Sequence, residues 1–249
     1  MPGTPRHGPL PSTLRGVLID GGDPVAVAAT AAIQAGDVAA LTALLAEHPG
    51  LATASVAGDR DTARTLLHLV TDWPGHRPHG PALVAALVAA GADVDARFTG
   101  PHPETPLHWA ASCDDVAVLD ALLDAGADID AGGAVIAGST PLADAVAFGQ
   151  WRAARRLVDR GARTELWQES ALGLLDRMTA RFAGPHRPTA DEVTGALWTA
   201  CHGGQRPAAE LLLSYGADLD RVGWDGLTPL GAATRAGATD LAAWLRTRS

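Results

Sequence analysis

The chain has 249 residues, 47% of them hydrophobic and 19% charged, which is enough apolar material for a packed core and too much for a disordered chain. Its net charge of −9 opposes a nucleic-acid role, since phosphate binding needs a basic face. Two cysteines are too few for a disulfide framework, and an aromatic content of 4% leaves alanine, leucine and valine to fill the interior. All 19 positive residues are arginine, the pattern of a GC-rich bacterial genome.

In chain order, residues 1–24 open with MPGTPRHGPLPSTLRG, which lacks the apolar core of a signal peptide and reads as a flexible Pro/Gly-rich leader. Residues 25–48, VAVAATAAIQAGDVAALTALLAEH, read as helix, glycine, helix. The longest apolar run, PALVAALVAAGA at 81–92, is shorter than the roughly 18–20 residues that span a bilayer. The chain therefore reads as soluble and cytoplasmic, with no membrane partner.

Two elements then recur. GADVD at 91–95, GADID at 126–130 and GADLD at 216–220 are near-copies, and so are TPLHWAA from 105, TPLADAV from 140 and TPLGAAT from 228. An apolar-periodic stretch separates each TPL from the next GA. This pairing resembles the ankyrin repeat, with its T-P-L-H-x-A signature and a period of about 33 residues. The resemblance runs from about residue 25 to the end. It implies an all-α solenoid of about seven helix–turn–helix units with short hairpin loops, at about 25–60, 61–98, 99–135, 136–162, 163–189, 190–222 and 223–249. The hairpin between the fourth and fifth units is nearly absent, and the early units carry insertions.

Each part of the unit has a physical reason. Thr105 caps the first helix, and Pro106 sits where a missing N–H costs nothing. Leu107, Ala110 and Ala111 give a thin apolar face for close helix packing. His108 is placed to hydrogen-bond between neighbouring loops. Gly126 ends the second helix in a left-handed conformation. Asp114 and Asp115 precede that second helix and read as caps in preference to a catalytic pair.

Two slots on the first helices face the groove of such a stack. One row holds Gln34, Asp72, Ser112, Ala147, Ala171, His202 and Arg235. The other holds Ala35, Trp73, Cys113, Phe148, Leu172, Gly203 and Ala236. Trp73, Cys113 and Phe148 are therefore expected to form an apolar strip beside Asp72 and Ser112, with aromatic anchors suited to a partner. Trp109 occupies a core slot, and Asp144 takes the same slot one unit later. An unpaired carboxylate there must meet water or a partner, unless it bonds a neighbouring loop. Trp224, in GWDGLTP, lies at a hairpin tip.

The resemblance implies a module that binds an unidentified protein partner through the concave groove and the hairpin tips. A small-molecule binder or enzyme using Asp72, Trp73, His108, Cys113 and Asp144 is the alternative. Cys113 would need a basic neighbour to act as a nucleophile. Cys113 and Cys201 lie about three units apart, too far for a disulfide. His76 and His79, in the insertion DWPGHRPHGPA at 72–82, lack the spacing of a zinc site, so no metal or cofactor is expected.

Overall fold

The computed structural model describes residues 16–136 and 138–248, so the first fifteen residues of the expected leader lie outside it. The chain divides into two compact units, residues 1–144 and 145–249.

The first unit holds α1 (Pro24–Ala35), α2 (Val38–Glu47), α3 (Leu66–Thr71), α4 (Gly80–Ala89), α5 (Pro106–Ser112) and α6 (Val116–Asp124). They form antiparallel pairs stacked in sequence, α1/α2 against α3/α4 and α3/α4 against α5/α6. The division between the units falls within α7 (Pro141–Ala147). Leu66, Leu67, Leu83, Leu87, Leu107, Leu119 and Leu122 are fully buried between the helices. Ala110 and Ala111, also fully buried, keep the layers close.

Polar joints lock the stack. Thr105 caps α5, and its N–H and Oγ1 meet His108 Nδ1 at 3.1 and 2.9 Å. With Nδ1 accepting from the amide, Nε2–H donates to the Ser139 carbonyl at 3.3 Å. Thr65 and His68 repeat this one layer earlier, with Nε2–H donating to the Glu104 carbonyl at 3.1 Å. Burial pushes both imidazoles down to about 4, so they work as neutral rings. Asp115 caps α6 by accepting from the Val118 N–H at 3.2 Å, and Gly126 turns the chain at φ 95°.

The mostly helical fold also carries three short strands among the described residues. A small sheet joins β1 (Leu18–Ile19), β2 (Ser55–Ala57) and β3 (Ala63–Thr65), with β1 parallel to β2 and β2 antiparallel to β3. Arg60 and Asp61 both take positive φ in the turn between β2 and β3, and the Gly58 N–H donates to the Thr62 carbonyl at 2.8 Å. That turn matches the twist of a two-stranded hairpin. Ile19 and Val56 bury against the unit, so this end of the expected leader is ordered structure.

The second unit contains α8 (Trp151–Asp159), α9 (Leu166–Leu172), α10 (Leu175–Ala183), α11 (Ala190–His202), α12 (Arg206–Ser214), α13 (Pro229–Arg235) and α14 (Thr239–Arg246). Helix α11 is its spine and packs on α9, α12 and α13. A Thr189–Glu192 capping box starts α11. Leu197, Leu212, Leu241, Leu245 and Met178 fill the core. Buried Glu169 is held by Arg181 in a two-point pair, Nε–Oε2 2.8 Å and Nη2–Oε1 3.0 Å, and by the Thr164 hydroxyl at 2.7 Å.

Candidate partner-binding surface

Three of the expected surface residues, His202, Trp224 and Arg235, come together in the second unit with Trp151, Trp198 and Asp225, none of which occupies a groove-facing slot. Trp198 sits in the slot that holds His108 in the repeat from residue 105. Its indole Nε1–H donates to the Leu227 carbonyl at 3.0 Å, so the larger ring makes the same kind of inter-repeat joint as His108. His202, one turn further along α11, stacks on Trp198 at 5.3 Å and 25°. Trp224 packs tilted against Trp198 at 5.4 Å and 57°, and Trp151 meets His202 at 5.1 Å and 58°.

Arg235 completes the cluster. Its guanidinium lies over the Trp198 ring, 5.8 Å from the centroid, and pairs with the Asp225 carboxylate. Held at two places, it leaves 47% of its side chain to solvent. His202 Nε2–H donates to the Val146 carbonyl at 3.2 Å. Burial and then the charge of Arg235 hold His202 below its usual value, although the Val146 carbonyl opposes them.

Trp151, His202 and Arg235, with Gly149, Gly203, Gly204 and Ala236, line a concavity of about 180 Å³ that opens to solvent. Gly203 is forced: a Cβ there would lie 1.9 Å from the Ala171 carbonyl oxygen. Trp224 is 66% exposed beside the concavity. Phe148, expected in the apolar strip, is an exposed side chain of this unit.

The remaining expected residues belong to the first unit. Trp73 is 80% exposed on the loop after α3. Asp72 pairs with Arg64 at 2.7 Å, and its carbonyl accepts from Arg77. Ser112 is half-buried at the end of α5. Cys113 departs from the open strip expected of it, because the loop folds over it. Gly75 sits so close that a Cβ would lie 2.7 Å from Cys113 Cβ, and His76 Nε2–H donates to the Cys113 carbonyl at 3.0 Å. The His76 N–H also donates to Asp115 at 2.7 Å. Burial, followed by the charges of Asp115 and Asp72, pushes the Cys113 thiol up to about 11, so it is no nucleophile at neutral pH.

Trp109 is partly buried. It packs edge-on against His68 at 4.9 Å and against Phe98 at 5.2 Å, while Nε1–H donates to Glu104 Oε2 at 3.1 Å. Asp144, expected to meet water or a partner unless it bonds a neighbouring loop, lies in the first turn of α7. It is fully buried, and among the described residues neither carboxylate oxygen closes a hydrogen bond. Burial and then the charge of Glu104 push it up to about 8. Sequence reasoning missed Glu104; the only signal was an acid directly before the Thr105 cap.

Among the described residues, no cluster of three or more His, Cys, Asp or Glu side chains could hold a metal ion. No described helix is long and apolar enough to cross a membrane. Residues 77–166 match the family model for ankyrin repeats, in three copies. No curated protein matches the chain.

Proposed function

The chain is an ankyrin-repeat protein by its residues 77–166, and we propose that it captures a protein partner through the aromatic and arginine side chains gathered around Trp198. Ankyrin repeats are generally protein–protein interaction modules. The observation that carries the reading is the cluster of Trp151, His202, Trp224 and Arg235 beside an open concavity in the second unit. Trp and Arg are the residue types that dominate binding energy at interfaces.

These side chains are also ordered before any partner arrives. His202 is stacked on a buried ring, Trp224 is tilted against the same ring, and Arg235 is fixed by Asp225. Little side-chain freedom remains to be lost on binding. Trp73 and Phe148, exposed on their own units, are proposed as further contacts. The thiol of Cys113 and the rings of His68 and His108 are committed to structure, so nothing favours an enzyme reading.

The test is affinity capture with the wild-type protein and with Trp224→Ala/Arg235→Gln. Both side chains reach solvent, so helicity should be unchanged. Loss of each as a hot spot is expected to cost at least about 2 kcal/mol, roughly 30-fold in Kd. A captured partner that binds the double variant within twofold of wild type would rule this surface out.

A further inference from the structure

The aromatic cluster of the second unit has an order of contacts. Trp224 touches Trp198, Trp198 stacks on His202, and His202 meets Trp151. Arg235 lies over Trp198, so in that order it has an indole to either side. It is also the only charged residue lining the concavity, because burial keeps His202 neutral.

The charge around the concavity has one sign. Within two residues of the lining ones, the sequence adds exposed Arg152 and Arg206 and no acid. Helices α8 and α12 begin at the same place, and neither has a side-chain cap, so the positive ends of two helix dipoles lie there as well. The opposing acid, Asp225, pairs with Nη1 of Arg235 and accepts from the Leu227 N–H at 3.1 Å. A guanidinium carries five N–H donors. Among the described residues no other group accepts from Arg235, and nearly half of its side chain reaches solvent. A partner that covers this surface takes those spare donors out of water, which is costly unless it brings an acceptor. A carboxylate meets that need best, since its two oxygens match the guanidinium fork and its charge suits the arginines around it.

We infer that the partner inserts the carboxylate of an aspartate or glutamate side chain at Arg235, between apolar residues that cover Trp224 and Trp151. This rests on the capture of a protein at that surface. A side chain fits where a chain end does not, because a segment that covers both indoles must continue past the guanidinium in each direction.

Three peptides test the inference by heteronuclear NMR on the whole protein: acetyl-Leu-Glu-Leu-amide, acetyl-Leu-Gln-Leu-amide and, as a free chain end, acetyl-Leu-Leu with an unblocked carboxylate. The indole N–H signals of Trp224 and Trp151 and the Nε–H signal of Arg235 report on the site. The glutamate peptide should move all three and bind roughly tenfold more tightly than the glutamine peptide, the low end for a hydrogen bond to a charged group. In Arg235→Gln the two blocked peptides should bind equally. Equal binding of both to wild type, or tightest binding by the free chain end, overturns the inference, while indole shifts in either case leave the capture surface standing. If no peptide moves any of the three signals, the inference and the surface fall together.

Discussion

Gly195 within α11 and Gly203, which caps its C-terminus, make opposite predictions. Gly203 has ordinary helical torsions, φ −82° and ψ −1°, so alanine there carries no backbone strain. The obstacle is space: its Cβ would sit 1.9 Å from the Ala171 carbonyl oxygen and 2.8 Å from that carbonyl carbon. Both are backbone atoms, so α9 and the end of α11 must separate by more than 1 Å. Overpacking a well-filled core costs about 1–3 kcal/mol when side chains can shift. With backbone as the obstacle, Gly203→Ala should cost about 3 kcal/mol or more. Gly195, two turns earlier, is exposed and has nothing within 4 Å of a Cβ. Gly195→Ala should therefore stabilise by about 0.5–1 kcal/mol through helix propensity. Equilibrium urea unfolding followed by circular dichroism reads both. A Gly203→Ala midpoint equal to wild type would refute the close approach of α9 and the end of α11, where Gly203 lines the concavity.

Other consequences are open to measurement. Arg181→Met leaves the Glu169 carboxylate buried with only the Thr164 hydroxyl; since Arg181 is 37% exposed, the cost should fall at the low end of buried-pair losses, about 2–3 kcal/mol by urea unfolding. His68 and His108 stay neutral down to about 4 in the folded state, whereas the unfolded chain takes up protons near 6.5. Their contribution is present above pH 6.5 and is lost as pH falls toward 4, so the thermal midpoint should drop across that window, less steeply in His108→Gln. Ala110→Leu should overpack the α5 layer and lower stability by about 1–3 kcal/mol, measured by thermal melt.

Much of the fold was legible because its signals are local. Thr105, Pro106 and His108 lie within one turn, and the bonds they make follow from the geometry of a helix start. Gly126 and Asp115 mark helix ends by the same short-range logic. The β2–β3 hairpin was not legible, since its pairing with Leu18–Ile19 joins segments far apart in sequence and no repeat signature covers them. The candidate site was half-legible. Placing His202 and Arg235 in one row put them on one face, but Trp151 enters from the start of a second helix and Trp224 from a loop. Asp144 was recognised as out of place in an apolar slot. Glu104, whose charge acts on it, comes from a hairpin that folds back only in the tertiary structure, and the fate of a buried acid depends on such a neighbour.

The most direct measurement of the central claim is hydroxyl-radical footprinting of the protein alone and in complex with its captured partner. Trp224 and Trp151 should lose most of their reactivity in the complex, while Trp244, in α14 and outside the cluster, keeps its own. Trp224 and Trp151 oxidising as fast in the complex as in the free protein would contradict the account.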